Sequence, residues 1–389
     1  MKKIKLGVIG IGNMGTSHCK SIVEEKIPEL ELTAVADIRE DRRSWAKESL
    51  PSSVQIFDSG DALIESLCCE AVLIAVPHYD HPQMVIKALK HDQHVICEKP
   101  AGVYTKQVRE MNAVSEKSDK VFAMMFNQRT NHLYRKMKEI VSGGQYGKIK
   151  RVNWIITDWY RTQAYYNSGS WRATWAGEGG GVLLNQCPHN LDLLQWICGM
   201  PTKVMAFCHN GKWHDIEVED DVSAYLEFAN GATGIFVTST GDAPGTNRFE
   251  ITLEKGKLVC EDNHLMFYEL DVNEREYCFT ATEGFVPPQG HFTELHTDGQ
   301  NPQHIGVLQA FAGNILRGEP LIAKGEEGIL GLTLSNAMHL SSWLNQPVSI
   351  PFDEDLFWNE LQKRLQTSNT SKAVRQITFD TEGSYGYHN

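Results

Sequence analysis

The sequence predicts an α/β protein with a parallel, doubly wound sheet in its N-terminal part and a mostly antiparallel sheet after it. Over residues 4–125, short apolar runs alternate with amphipathic stretches of helical period, which is the pattern of a parallel sheet covered by helices. Beyond residue 126 long β-rich stretches dominate. Because 389 residues exceed one comfortable core, we expect two domains, residues 1–126 and 127–389.

The first domain begins with a βαβ unit. Apolar runs at residues 4–9 and 30–36 flank a glycine-rich turn and an amphipathic stretch. The further predicted elements are a strand at 71–76, a helix at 81–90, a strand at 94–97, a helix at 105–118 and a strand at 121–125.

The second domain is predicted to be richer in strands. A helix near residues 133–142 precedes strands at 149–159, 222–228, 232–240 and 249–253. Asn230-Gly231 predicts a hairpin between two of these strands. Helical patterns return near 305–316 and 326–344, and the tail from about Gln366 is expected to be a surface extension or an oligomer arm.

The composition is typical of a soluble globular protein, with 41% hydrophobic and 22% charged residues. A net charge of -12 argues against nucleic acid as a partner. No apolar stretch approaches the roughly 20 residues that span a bilayer, so we expect no membrane association. Nine cysteines without a CxxC pair indicate reduced thiols, and we expect a cytoplasmic protein.

A glycine motif follows the first predicted strand and opens the first helix. In Gly10-x-Gly12-x-x-Gly15, Gly10 makes a tight turn, Gly12 lets the backbone approach a pyrophosphate, and Gly15 allows close packing of helix on strand. The diphosphate of a dinucleotide then lies at the helix N-terminus, where the amides and the helix dipole favour an anion. The motif predicts a dinucleotide-binding site.

Asp37 ends the second predicted strand, where a carboxylate accepts hydrogen bonds from the ribose hydroxyls and repels a 2′-phosphate. This favours NAD over NADP as the cofactor. Arg39, Arg42 and Arg43 follow closely and soften that preference, although arginines at a helix start are more often solvated surface.

Three further motifs carry a family resemblance. Cys97-Glu98-Lys99-Pro100 stands just past an apolar strand, Gly179-Gly180-Gly181 follows, and Asn185-x-x-x-His189-x-x-Asp192 comes next. Together with the glycine motif, they make nearly the whole chain resemble the glucose-fructose oxidoreductase, inositol dehydrogenase and rhizopine catabolism (Gfo/Idh/MocA) family. The resemblance implies an N-terminal Rossmann domain, a C-terminal α/β domain with a large open-faced sheet, and oxidation or reduction of sugars and cyclitols.

The resemblance also implies roles for single residues. Lys99 matches the family's active-site lysine, whose ammonium stabilises negative charge on the reacting oxygen. His189 matches the catalytic histidine, which accepts the hydroxyl proton. Many members carry aspartate where this chain has Asn185. We still place Asn185 among the catalytic residues, because the spacing predicts that Asn185, His189 and Asp192 share one helical face. An amide cannot stabilise an imidazolium by charge, so the division of labour between Lys99 and His189 stays open.

The predicted cofactor site extends beyond the glycines and Asp37. It further includes Asn13, Met14, Ile38, Ala75, Pro77, His78, His81, Glu98, Lys99, Asn127 and Arg172.

Aromatic and charged residues alternate between positions 154 and 175, a mixture that suits a sugar with apolar faces and many hydroxyls. Trp154 is expected in the core. The predicted substrate-binding residues are Tyr160, Arg161, Trp171, Asn185, His189, Asp192 and His304. Asp192 either binds substrate or braces its helix. No histidine or cysteine spacing indicates a metal site.

These observations predict an NAD-dependent oxidoreductase that transfers a hydride between nicotinamide and a secondary alcohol of a sugar, sugar derivative or inositol. The resemblance implies a homodimer or homotetramer formed through the C-terminal sheet. Two alternatives stay open: redox-neutral glycoside cleavage through transient oxidation and elimination, and a non-catalytic NAD-sensing protein.

Overall fold

The first domain contains a six-stranded parallel sheet. A computed structural model describes residues 2–369, and the part of the predicted tail from residue 370 onward lies outside the described residues. The strands are β1 (Ile4–Ile9), β2 (Leu30–Ala36), β3 (Gln55–Phe57), β4 (Ala71–Ile74), β5 (His94–Cys97) and β6 (Phe122–Met124). The helices between them are α1 (Asn13–Val23), α2 (Glu40–Ser49), α3 (Gly60–Glu65), α4 (His81–Lys90) and α5 (Thr105–Ser115).

The strand order β3-β2-β1-β4-β5-β6 is that of a doubly wound dinucleotide-binding sheet. Every adjacent pair runs parallel. The predicted alternation of strands and helices is therefore confirmed. Strand β4 ends at Ile74, two residues before the predicted end, and the chain turns there toward the carboxyl edge of the sheet.

The second domain contains a sheet of nine strands. These are β7 (Ile149–Ile156), β8 (Lys203–Asn210), β9 (Glu219–Glu227), β10 (Thr233–Ser239), β11 (Asn247–Leu253), β12 (Gly256–Glu261), β13 (His264–Leu270), β14 (Gly290–Glu294) and β15 (Val348–Ser349). The helices after β6 are α6 (His132–Ser142), α7 (Gln163–Tyr166), α8 (Pro188–Cys198), α9 (Glu274–Thr280), α10 (Gln303–Arg317), α11 (Gly328–Leu344) and α12 (Glu354–Leu365).

This second sheet is mostly antiparallel, as predicted. Its order is β14-β13-β12-β11-β7-β10-β9-β8-β15, and β7 with β10 is the parallel pair. The predicted hairpin joins β9 to β10, and Gly231 in its turn has a φ of +85°. Trp154 is buried and stacks on Phe249 with 4.0 Å between ring centroids, which confirms its place in the core.

The two faces of the nine-stranded sheet differ. The inner face packs in one core with α8 and α11. The outer face exposes large apolar side chains on neighbouring strands, namely Ile155, Phe207, Tyr225 and Ile235. The described helices include none that is long and apolar enough to cross a membrane.

Helix α10 returns to the first domain although it lies far along the chain. Its residues Val307, Leu308 and Phe311 are buried in one cluster with Ile4 and Leu6 of β1. The late helix thereby completes the core on one face of the parallel sheet. A domain boundary at residue 126 stays a prediction.

Candidate active site

The glycine turn leaves the start of α1 open to a ligand. Gly10 has a φ of +86°, and a Cβ there would lie 2.5 Å from the carbonyl oxygen of Ala75. A Cβ on Gly15 would lie 1.9 Å from the carbonyl oxygen of Gly10, whereas a Cβ on Gly12 would have no atom within 4 Å. No side chain caps α1, which begins with Asn13. Open space over Gly12 beside helix amides fits a diphosphate.

Asp37 lies beside this turn, just past the end of β2. Its Oδ2 accepts a hydrogen bond from the amide of Ile11 (2.9 Å), and its Oδ1 accepts one from the amide of Arg39 (2.9 Å). Ile38, the next residue, is exposed. The carboxylate is thus held next to the glycine turn, where the ribose of a dinucleotide would lie.

The three arginines after Asp37 make local contacts. Arg39 forms an ion pair with Asp41 (2.6 Å). Arg42 donates to the carbonyl of Ile11 (2.8 Å), and Arg43 donates to the carbonyls of Asp37 and Ile38 (2.9 and 2.8 Å). The contacts of Arg42 and Arg43 brace the backbone around Asp37.

Glu98 is buried next to Lys99, whose amide donates to its Oε2. His18 of α1 lies 2.8 Å from its Oε1, and the ring of His304 packs edge-on to His18 at 5.4 Å. Burial has the largest single effect and raises the pKa of Glu98, but the hydrogen bond and charge of His18, with smaller effects of His304 and Lys99, together outweigh it, and the pKa falls to about 2. Glu98 is therefore a carboxylate at neutral pH. Sequence reasoning missed His18, although it lies on the buried face of α1 one turn after Gly15.

Lys99 lies at the carboxyl edge of the parallel sheet, because β5 ends two residues before it. Its Nζ donates to the backbone carbonyl of Asn185 (2.9 Å). Burial lowers the pKa of the Lys99 ammonium, and the carboxylates of Glu98 and Glu178 oppose that shift. A lysine of lowered pKa exchanges its proton more readily near neutral pH.

His189 lies buried in the first turn of α8, with its ring edge-on to Phe126 at 6.3 Å. Burial lowers the pKa of His189 well below its ordinary value, and the positive charge of Lys99 lowers it further. The imidazole is therefore neutral at physiological pH and can accept a proton.

Asn185 lies outside the histidine helix. The prediction that it shares a helical face with His189 is wrong, because Pro188 begins α8 and Asn185 precedes it in a turn. Its side-chain Oδ1 accepts a hydrogen bond from the Tyr165 hydroxyl (3.2 Å), and its Nδ2 donates to Glu178. The structure nevertheless brings Asn185 to Lys99.

Glu178 is a buried carboxylate that sequence reasoning missed. It is 1% exposed, and its Oε2 accepts a hydrogen bond from the amide of Ala173 (2.6 Å). Arg172 lies 3.8 Å from its Oε1. Burial raises the pKa of Glu178, which Arg172 and the hydrogen bonds oppose. The sequence feature that could have indicated Glu178 is its position between two glycines, Gly177 and Gly179.

Three predicted residues gather around Tyr165. Arg172 donates to the Tyr165 hydroxyl (2.6 Å) and lies 4.4 Å from the centroid of its ring. Trp171 stacks on the other side of Arg172 (4.5 Å), and Arg161 lies 5.2 Å from the Tyr165 ring. Tyr160 is 42% exposed nearby in sequence. Tyr165 belongs to this cluster and was not among the predicted site residues.

Asp192 points away from this cluster. Arg129 donates to both of its carboxylate oxygens, with Nε and Nη2 each at 2.7 Å, and Gln195 adds a third bond at 3.0 Å. Arg129 also reaches Glu327 (2.5 Å). Because both oxygens are buried and engaged, the structure favours the bracing role for Asp192 over substrate binding.

The two predicted cofactor histidines differ in their contacts. His78 packs edge-on to Trp171 at 6.3 Å, and its Nδ1 lies 3.2 Å from the carbonyl oxygen of Glu178. The ring nitrogens of His81 face the carbonyl oxygens of Pro100 (2.7 Å) and Val76 (2.8 Å). The expectation that His81 binds cofactor is not supported, since backbone oxygens occupy both nitrogens. His81 instead braces the segment that follows Lys99.

Three further residues of the predicted cofactor site lie at the starts of helices. Met14 lies in the first turn of α1, and Pro77 precedes a short 3-10 helix, His78–Asp80. Asn127 is buried and donates to Gln303 (2.5 Å) at the start of α10, next to His304.

A buried carboxylate, that of Glu219, contacts the end of the triple glycine. Glu219 accepts hydrogen bonds from the amides of Gly181 (2.9 Å) and Leu183 (3.0 Å), and His339 lies 3.0 Å from it. A Cβ on Gly181 would lie 1.9 Å from the carbonyl oxygen of Glu219. Glu219 thus fixes the turn that carries Asn185. Among residues 2–369, no group of His, Cys, Asp or Glu side chains forms a metal site.

Family models match both parts of the chain. Residues 4–126 match the model described as oxidoreductase family, NAD-binding Rossmann fold, and residues 134–259 match the model of the GFO/IDH/MocA C-terminal domain. The chain belongs to the Gfo/Idh/MocA family. It is an NAD-binding oxidoreductase.

Full-length relatives support the Gfo/Idh/MocA assignment. The chain is 27% identical over 359 residues to myo-inositol 2-dehydrogenase of Thermotoga maritima, covering 90% of this chain and 99% of that protein. It is 26% identical over 369 residues to D-glucoside 3-dehydrogenase of Escherichia coli, covering 87% and 95%. The WlbA dehydrogenase of Bordetella pertussis, solved with NADH and UDP-GlcNAcA, has the same fold, with a TM-score of 0.75, 23% identity and coverage of 90% and 100%.

Proposed function

We propose that this enzyme oxidises or reduces a secondary alcohol of a sugar, sugar derivative or inositol at a site formed by Lys99 and His189. The observation that carries the proposal is that Lys99, which donates to the carbonyl of Asn185 at the carboxyl edge of the Rossmann sheet, acts by its charge on the buried, neutral His189. Ligands of such sheets bind at this edge. Relatives named as inositol and glucoside dehydrogenases support the substrate class.

The cofactor-binding residues fit NAD. The turn from Gly10 to Gly15 would hold the diphosphate on the amides of α1, and Asp37 would accept hydrogen bonds from the adenosine ribose. When bound, NAD supplies the acceptor for the hydride that leaves the carbinol carbon.

Two side chains of the protein, His189 and Lys99, act on the hydroxyl group of the substrate. In the oxidative direction a ring nitrogen of His189 accepts this proton, because the imidazole is neutral when substrate arrives. The Lys99 Nζ, held by the carbonyl of Asn185, donates a hydrogen bond to the same substrate oxygen and stabilises its developing negative charge. The two groups act on one oxygen, so both are required.

The cluster around Tyr165 supplies the substrate walls. The Trp171 and Tyr165 rings offer apolar faces to the C–H face of a sugar, while Arg172 offers hydrogen-bond donors to its hydroxyls.

The first experiment is NADH absorbance with purified protein, NAD and a panel of inositols, monosaccharides and simple glycosides. We expect NADH formation with at least one polyol, lost in Lys99→Ala and kept in Lys90→Ala, an exposed lysine of the first domain. Glycoside cleavage without NADH would replace the proposal with the redox-neutral reaction. Tight NAD binding without turnover of any compound in the panel would replace the proposal with a non-catalytic NAD-sensing protein.

We also propose that the enzyme is a cytoplasmic homodimer or homotetramer that pairs through the nine-stranded sheet. The exposed apolar residues on the outer sheet face, Ile155, Phe207, Tyr225 and Ile235, support this interface. All nine cysteines are free thiols, which supports a reducing compartment.

A further inference from the structure

We propose that Glu178 is a positioning residue of the reaction, supplying from outside the histidine helix the negative charge that Asn185 lacks. It holds Asn185 and, through it, Lys99. The inference rests on the proposed function, in that Lys99 contacts the reacting oxygen.

Glu178 is held in place before any substrate binds. It is 1% exposed and is fixed by the amide of Ala173, which donates to Oε2 at 2.6 Å. Its other oxygen, Oε1, accepts a hydrogen bond from Asn185 Nδ2 and lies 3.8 Å from Arg172. A carboxylate buried at this depth is costly unless it is paired and hydrogen-bonded. These partners lower the pKa of Glu178 against the effect of burial, which still keeps that pKa above its ordinary value.

Four side chains form a ring in which three hydrogen bonds lead from Arg172 to Glu178 and an ion pair between these two residues closes it. Arg172 donates to the Tyr165 hydroxyl (2.6 Å), and that hydroxyl donates to Asn185 Oδ1 (3.2 Å). Asn185 donates to Glu178, whose charge attracts Arg172. Because Arg172 donates at the start of this series and Glu178 accepts at its end, the ring sets the orientation of the Asn185 amide.

The ring reaches the active-site lysine through the backbone of Asn185. The carbonyl oxygen of this residue accepts the hydrogen bond from Lys99 Nζ at 2.9 Å, while its side chain is held by Glu178. The charge of Glu178 also raises the pKa of Lys99 against the effect of burial. One carboxylate therefore acts on Lys99 by geometry and by charge.

Other charged groups face the same two residues. Glu98 also raises the pKa of Lys99, while Arg172 and Arg161 lower it. His78, His189 and His304 surround Lys99, and burial lowers the pKa of each, so they add no positive charge at neutral pH. The negative charge of Glu219 raises the pKa of Glu178, and the negative charge of Glu178 raises the pKa of Tyr166. Removing Glu178 leaves Glu98 as the remaining carboxylate that raises the pKa of Lys99.

The kinetic test moves the carboxylate from one position to the other. Glu178→Gln removes the charge, and we expect kcat to fall at least roughly tenfold, as for a loss of about one pKa unit of interaction. Asn185→Asp places two carboxylates in contact and is also expected to lower kcat, because one of them must then be protonated. The double variant Glu178→Gln/Asn185→Asp restores one charge and one amide, and we expect it to recover to within about threefold of the parent.

Glu217→Gln is the matched control. Glu217 is a nearby carboxylate that accepts hydrogen bonds from the amide of Trp175 and from Ser368, outside the ring. We expect it to leave kcat unchanged. A double variant no more active than either single variant, with all variants showing the same melting temperature, would overturn the charge role.

A second readout needs no substrate. The pH dependence of Lys99 acylation by a small anhydride, followed by peptide mass spectrometry on the full chain, reports the pKa of the ammonium. We expect the midpoint to shift to lower pH in Glu178→Gln and to stay in Glu217→Gln, because the charge that raises the pKa of Lys99 is lost. An unshifted midpoint overturns the inference. Because this measurement uses neither NAD nor a polyol, failure of the proposed function would be recognised separately.

Discussion

Burial decides which ionisable side chains around the substrate position carry charge. His189 is neutral because its burial lowers its pKa, while Glu98 stays a carboxylate because the combined effects of His18, His304 and Lys99 outweigh that of burial. Lys99 lies between these two cases, since burial lowers its pKa and two carboxylates oppose the shift. The site therefore combines a neutral base with a cation of reduced pKa.

At this scale we predict that His189→Asn lowers kcat by about 10²-fold to 10⁴-fold, because general-base catalysis is lost. The loss should shrink as pH rises, because hydroxide then replaces the missing base. Steady-state kinetics between pH 6 and 10 would measure it, with NAD affinity from fluorescence titration expected to be unchanged. His296→Asn, at an exposed histidine, is the control. Equal losses at every pH would contradict the role of His189 as a base.

Local elements place these residues through backbone contacts. The turn before α1 is tight because Gly10 and Gly15 touch across it, while Gly12 faces open space. The Asn185 turn is fixed by Glu219, which binds the amides on both sides of Val182. In each turn, therefore, some residues fix the backbone and others are left to face a ligand.

For the glycine turn we predict opposite effects of two alanine substitutions. Gly12→Ala should leave the melting temperature unchanged and weaken NAD binding, because its methyl group enters the space that fits the diphosphate. Gly15→Ala should lower the melting temperature, because its Cβ would lie 1.9 Å from a carbonyl oxygen. Calorimetry and NAD titration separate the two effects. Full NAD affinity in Gly12→Ala would place the diphosphate elsewhere.

For helix α8 we predict that Asp192→Ala lowers the free energy of unfolding by about 3 kcal/mol, because breaking a buried ion pair leaves Arg129 poorly compensated. KM for the substrate should stay within about twofold, since the carboxylate braces the helix. Urea denaturation and steady-state kinetics measure the two quantities. A large rise in KM with unchanged stability would show that Asp192 binds substrate after all.

At the scale of the whole molecule, elements from the second part of the chain pack against the first domain. Helix α10 packs on β1 of the first domain and carries His304 beside His18. In helix α8, Asp192 is bound by Arg129, which closely follows β6, the last strand of the first domain. These crossings place Lys99, from the first domain, against Asn185 and His189, from the second.

The outer face of the nine-stranded sheet gives a prediction for the assembly. Ile235→Glu, directly across from Tyr225 on the neighbouring strand, should shift the protein toward monomer in analytical ultracentrifugation, because a carboxylate would be buried in the interface. Leu67→Glu, at an exposed apolar position of the first domain, should leave the distribution unchanged. An unaltered oligomer in Ile235→Glu would exclude pairing through this face.

Local patterns were sufficient for most of the elements. The strands at 4–9, 30–36 and 94–97 and the helix at 81–90 have the predicted bounds, because their periodicity and their ends are encoded within the segment itself. The glycine motif and the Glu98-Lys99 pair were also recognisable, since each lies within a few residues of a strand end.

The sequence by itself determined the fold class and the glycine turn, because these depend on neighbours in the chain, while the roles of Lys99 and His189 were implied by the family resemblance and stay predictions. Only the tertiary structure decided the partners of buried charges. Glu178, Glu219 and His18 join the site through contacts between separate segments, and Asp192 leaves it because Arg129, 63 positions earlier, engages its carboxylate. A buried carboxylate must find a partner wherever the fold provides one, and spacing along the chain does not record that choice.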